Sequence, residues 1–260
     1  MQLSTHDLAD LRYAKHLLEN PGIAARITNL LGKSIEKSFE LLPEKTYDSI
    51  LKITRKSLQK ALDVSINTID DRLKNLSSEF THKIIVAATG AGGGAFGLSA
   101  LAVELPISTT IMLRSIADIA RSEGEQIKTV ETKLACMEVF AFGGTSRNDD
   151  NVETGYFFVR ASLAKAVSDA AEYILRRGLS EKSAPVIVRF ISAVASRFGV
   201  VVTEKIAAQA IPLIGAAGGA LVNTVFIDHF QNMARGHFIV RRLERTYGYE
   251  IVKETYGKLL

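Results

Sequence analysis

The chain has 260 residues, enough for one large domain or two small ones with a proper core. Its 32 basic and 28 acidic residues leave a net charge of +4, too even a balance for a nucleic-acid surface, which needs basic patches interleaved with aromatics. A single cysteine, Cys136, excludes an intramolecular disulfide, fits a reducing compartment, and sits in the apolar run LACMEVFAF as a core thiol.

The opening segment, MQLSTHDLADLRYAKHLLEN, is charged and amphipathic and lacks the apolar stretch of a secretory signal, which predicts the cytoplasm or the cytoplasmic face of a membrane. A first helix is predicted over Asp7 to Glu19, stopped by Asn20-Pro21-Gly22. Ile23 to Leu42 follows, ending before Pro43, and then a long helix from Glu44 to Leu76 with Ile50, Ile53, Ser57, Ala61 and Val64 at helical spacing. Runs of alternating apolar and polar residues, the mark of half-buried strands, are scarce throughout.

Next comes the first of two stretches with no charged side chain, Ile84 to Val103; the second is Ile206 to Ile227. Together they lift the mean hydropathy to +0.13. Pro106 is predicted to open a helix that runs to Glu123, with Gly124 as its stop. Thr129 to Phe142 is a further apolar helix, ended by Gly143-Gly144, and the polar loop TSRNDDN then leads to a helix over Val152 to Arg177 closed by Gly178. Two helices, Pro185 to Phe198 and Val200 to Gln209, precede a last long one that closes at Tyr247-Gly248.

The two charge-free stretches carry GAGGGA at Gly90 to Ala95 and GAAGGA at Gly215 to Ala220, which differ at one position. GGGAFG at Gly92 to Gly97 fits the dinucleotide spacing, but no strand frames it, and neither run ends in the Gly-Lys-Ser/Thr of a phosphate loop. Close helix packing is the better use. Gly90 and Gly94, Gly93 and Gly97, and Gly215 and Gly219 are each four apart, so each pair shares one helix face. A mid-helix glycine costs roughly 1 kcal/mol against alanine, so such runs need a partner, and each run suits the other. The pair sits either in a water-soluble core or in lipid as an inserted hairpin.

Few polar positions stand out. Glu104 joins the first apolar stretch to Leu105-Pro106; it is either a buried acid paired with Arg114 or Asn223, or an exposed helix-start carboxylate favoured by the dipole. Arg114, Asp118 and Arg121 form one polar stripe, with an Arg114–Asp118 pair as its simplest reading. Asp149 and Asp150 either bind a cation or cap the following helix. The five histidines show no zinc spacing, and no catalytic triad, cofactor site or metal site can be assembled. Arg241, Arg242 and Arg245 lie beyond the second apolar stretch, where they could meet anionic headgroups at roughly 1 kcal/mol each.

Three segments also carry a resemblance. ELPISTTIMLRSIADIA (Glu104 to Ala120), RNDDNVETGYFFVRASLA (Arg147 to Ala164) and IPLIGAAGGALVNTVF (Ile211 to Phe226), the last leading to RRLERTYG, resemble the EcsC protein family. That family is named after a gene neighbouring a bacterial ABC transporter and has no agreed biochemical activity. The resemblance implies a helical architecture and a membrane-proximal setting, and it supplies no catalytic residues.

The expectation is therefore an all-α multi-helix bundle with two central glycine-rich apolar helices packed against each other. Amphipathic helices over 1–80 join an EcsC-like core over 81–260 in one continuous domain. The expected role is non-enzymatic interaction at a membrane surface or with a membrane protein. The alternatives are a binding module for a lipid or other apolar ligand, and an unrecognised hydrolase using Glu104 with Asp149 or Asp150.

Overall fold

A computed structural model describes residues 3–19, 23–31, 44–68, 97–143, 155–179, 183–209 and 215–259. Among these there are nine α-helices and no strand. They are α1 (Thr5–Glu19), α2 (Ile23–Leu31), α3 (Glu44–Thr68), α4 (Gly97–Ser122), α5 (Val130–Glu138), α6 (Tyr156–Arg177), α7 (Pro185–Gln209), α8 (Gly215–Tyr247) and α9 (Tyr249–Lys258). The chain is all-α, and one contiguous core draws on every one of these helices.

Local chemistry explains several helix ends. Ser4 caps α1, its hydroxyl accepting the Asp7 N–H at 3.1 Å. Thr129 caps α5 in the same way through the Thr132 N–H. Gly124, Gly143, Gly178 and Gly248 all adopt positive φ, the left-handed conformation that turns a chain out of a helix. α5 tightens at its end into a 3₁₀ turn, Val139–Ala141, which inserts Phe140 into a cluster of rings with Phe198 and Phe230 at 5.0 and 5.3 Å.

Two expected breaks are absent. Pro106 does not open a helix; α4 begins at Gly97 and runs through it. Proline removes one backbone donor, whose partner would be the carbonyl of Ala102, and Ala102 is exposed, so water can serve that oxygen. Thr110 returns its hydroxyl to the Pro106 carbonyl at 2.8 Å. Nor does Gly199 divide α7, which is one continuous helix. Gly199 is buried, with Leu51 of α3 at 3.6 Å from where a Cβ would stand, and packing outweighs its poor helix propensity. Helix α9, beyond Tyr247-Gly248, carries no sequence signal strong enough to predict it.

The glycine runs are only partly visible. Gly90, Gly93 and Gly94 lie outside the described residues, Gly97 opens α4, and Gly215 and Gly219 fall in the first turns of α8. The packing of one run on the other lies outside the described residues too. A close crossing does occur at Gly236 in the middle of α8. A Cβ there would stand 2.6 Å from Leu18 Cγ and 3.0 Å from the Ala14 carbonyl oxygen of α1. This glycine is what lets α1 lie flat on α8.

Gly236→Ala should therefore destabilise the protein by about 1–2 kcal/mol, overpacking outweighing the propensity gain. Gly257→Ala on α9, which meets nothing within 4 Å, should be neutral or slightly stabilising. Urea unfolding of the two variants beside the parent checks the contrast; equal midpoints would show that α1 yields at no cost.

Candidate functional site

Three polar centres lie among the helices, at the start of α4, at the end of α8 and at the end of α5. The first contains Glu104. Its carboxylate receives a hydrogen bond from Lys205 Nζ of α7 at 2.5 Å, and Lys205 is only 1% exposed. The same ammonium lies 4.6 Å from the Phe226 ring of α8, so a single buried cation ties α4, α7 and α8 together. Glu104 thus meets neither Arg114 nor Asn223, the partners weighed from sequence. Asn223 instead accepts a long bond from Gln209, and Asp118 pairs with Arg121 at 2.9 Å rather than with Arg114. Asp149 and Asp150 lie outside the described residues.

The second centre is the end of α8. Arg241 binds Glu125 through Nε at 2.8 Å and through a second nitrogen at 3.2 Å, and Arg245 reaches the same carboxylate. Arg242 binds Glu123 at 2.9 Å and Asp10 of α1 at 2.6 Å. Tyr247 donates its hydroxyl to Asp7 at 2.6 Å, a bond that, with one from Ser4, holds the Asp7 carboxyl below the usual range. Burial pushes the Glu125 carboxyl upward, but the hydrogen bond and charge of Arg241 and the charge of Arg245 outweigh it, leaving it lowered. The three arginines therefore form a closed ionic network holding α1 and the α4–α5 turn onto α8, not a free basic patch. His6, Asp7 and Asp10 could together hold a metal, but Arg242 and Tyr247 already engage the two acids.

The third centre lines a cleft of about 570 Å³ between α5 and α6, to which α8 contributes Arg241. Glu138, the last residue of α5, is 6% exposed, lines that cleft, and has no hydrogen-bond partner among the described residues. Burial pushes its carboxyl up to about 7, against the lowering influence of Arg160 and Arg241. Neither arginine is free for it. Arg160 makes a bidentate pair with Glu244 at 2.6 and 3.1 Å, and Arg241 is held by Glu125.

Behind the cleft, Tyr156 and His237 Nδ1 share a hydrogen bond at 2.8 Å. Burial drives the imidazole well below its ordinary value and the phenol above its own, so both are neutral. His229, another buried imidazole of α8, is pushed down to about 4, mainly by burial. The space beside its ring exists because Gly143 has no Cβ; one there would overlap the imidazole. Cys136 is buried and its thiol is pushed up to about 12, which keeps it protonated and inert.

Sequence reasoning missed Lys205, Arg160 and Glu138. Glu138 did leave a trace, as the one charge in LACMEVFAF, whereas Lys205 sits beside Glu204 at the edge of an apolar run and reads as an ordinary helix-surface pair.

Residues 15–243 match the EcsC protein family. The chain belongs to that family. The match takes in the end of α1, α2 to α7 whole and most of α8, including Glu104, Lys205, Glu138 and the arginines at 241 and 242. No curated protein and no solved structure matches the chain, so EcsC membership brings no neighbour's activity with it.

Two predictions concern these centres. In the unfolded chain Glu138 titrates near its ordinary 4.5, and in the fold near 7. Between those values the folded protein holds a proton that the unfolded chain has lost, so stability falls as pH rises through that window and the full cost stands above it. Glu138→Gln should then be more stable than the parent at about pH 8, by up to about 3 kcal/mol, with the gain vanishing at about pH 4. Urea unfolding at both pH values checks this, and a pH-independent difference would contradict it. Glu104→Gln should cost about 3 kcal/mol, because it strands a buried ammonium, whereas Glu104→Gln with Lys205→Met should recover most of the loss. Thermal unfolding of the single and double variants reads the coupling.

Proposed function

We propose that this EcsC-family protein acts without catalysis, by interaction at the cytoplasmic face of a membrane, through the end of the bundle where α4 and α8 begin. The observation that carries this reading is apolar exposure at that end. Val103 of α4 is 66% exposed and Leu221 of α8 is 37% exposed, and each belongs to one of the two charge-free stretches. The Glu104–Lys205 pair and the Phe226 ring bring these two helix starts together. Large apolar side chains left in water beside uncharged chain favour an apolar partner.

The arginines at the end of α8 are not the contact in this reading, since four carboxylates already neutralise them. α7 is, among the described residues, the one helix long and apolar enough to cross a bilayer, with a mean hydropathy of 1.8. Most of that stretch is buried against other helices, so its apolarity belongs to the core. A hydrolytic role for Glu104 loses its support because the carboxylate is engaged by Lys205.

Flotation with vesicles of phosphatidylethanolamine and phosphatidylglycerol tests the reading. The parent should float, and Val103→Glu with Leu221→Glu should lower the floating fraction several-fold while leaving the melting temperature within a few degrees. Arg241→Gln should do the reverse, lowering the melting temperature and leaving flotation intact. A parent that stays at the bottom of the gradient, or an Arg241 variant that alone releases the protein, would overturn it.

A further inference from the structure

The cleft between α5 and α6 has an unusual distribution of charge. At one end stands Glu138, buried and without a hydrogen-bond partner among the described residues. The two guanidiniums beside it, Arg160 and Arg241, are each fixed to another carboxylate. At the other end stand Glu131, exposed on the first turn of α5, and Glu172 of α6, which Arg176 holds at 2.8 Å. Between the ends the lining is small and mostly apolar: Ala135 from α5, and Ala164, Val167, Ser168 and Ala171 from α6.

The chemistry of a fitting occupant follows from these facts. An anion would have to displace Glu244 or Glu125 to gain a guanidinium, and would face Glu138 while doing so. A neutral apolar molecule would leave the buried carboxyl unsatisfied, at a cost in free energy. An ammonium satisfies it with up to three donors and a balancing charge. A second ammonium is called for at the other end, where the exposed Glu131 stands beside the Glu172–Arg176 pair. An alkyl chain between the two would lie on the alanine floor. The seven residues from Glu131 to Glu138 span about 10 Å along a helix axis, a reach that a short aliphatic chain covers.

We propose that the α5–α6 cleft binds a linear alkyl diamine, with one ammonium on Glu138 and the other between Glu131 and Glu172. The site is separate from the apolar pole considered above, and its test does not depend on any membrane.

The experiment is calorimetric titration of the full chain with the seven-carbon and the eight-carbon terminal diamines, using octylamine and octanoate as single-headed controls. Both amines with two heads should bind, at least tenfold more tightly than octylamine, and octanoate should give no heat. Glu138→Gln, checked for its helical circular dichroism, should weaken diamine binding at least tenfold. Glu131→Gln with Glu172→Gln should reduce the diamine to the affinity of octylamine. Should the Glu138 variant fail to fold, Ala164→Leu fills the floor from an exposed position and should abolish binding by itself. Absence of diamine binding to the parent, binding of octanoate as tight as that of the diamine, or undiminished diamine binding by a folded Glu138→Gln or Ala164→Leu variant would overturn the proposal.

Discussion

An ammonium or guanidinium carried into a helical core needs a carboxylate beside it, because desolvation costs several kcal/mol for each ion. That requirement decides how the helices of this protein meet. Lys205 draws the start of α4 to the end of α7. Arg160 joins α6 to α8 through Glu244. Arg241 and Arg242 fasten α8 to the α4–α5 turn and to α1. Each of these links joins segments distant in sequence, so the ion pairs tie together helices that the chain itself keeps far apart. Glu138 breaks the pattern as a buried charge-bearing group left unmatched, which is why it stands apart as a site.

The membership of the chain in the EcsC family and its all-helical architecture agree with one another, and both rest on features that repeat along the chain. Helical spacing of apolar residues and glycine stops at 124, 178 and 248 are local signals, and the structure uses them as local chemistry dictates. Pro106 and Gly199 are equally local signals, yet neither interrupts its helix. At Pro106 the orphaned Ala102 carbonyl is open to water, and at Gly199 packing against α3 outweighs the lost propensity; no count of residues nearby can reveal either.

The polar sites were harder to read for a different reason. Glu104 stood out as a carboxylate at the edge of an apolar run, but its partner lies 101 residues away on another helix. The three arginines of α8 looked like a basic patch because their carboxylates come from α1 and from the α4–α5 turn. Glu138 was hidden by ordinary composition: one acid among apolar neighbours reads as a helix facing water on one side. Its burial becomes legible only once the 3₁₀ turn after it is seen to enter the core.

The placement of α1 bears on how the chain comes to be folded. Lys15 of α1 donates to the carbonyls of Tyr256 and Leu259 beyond a separation of 241 residues, and the flat side of α8 at Gly236 receives Ala14 and Leu18. On the ribosome α1 is made early, while the helices that cover it are among the last. For most of synthesis, then, an amphipathic helix stands with Leu11, Ala14, Leu17 and Leu18 unshielded. Until α8 and α9 are made, α1 is a hydrophobic handle that disappears when they dock. Whatever chaperone or bilayer meets this protein during its birth meets a surface that the finished molecule no longer has.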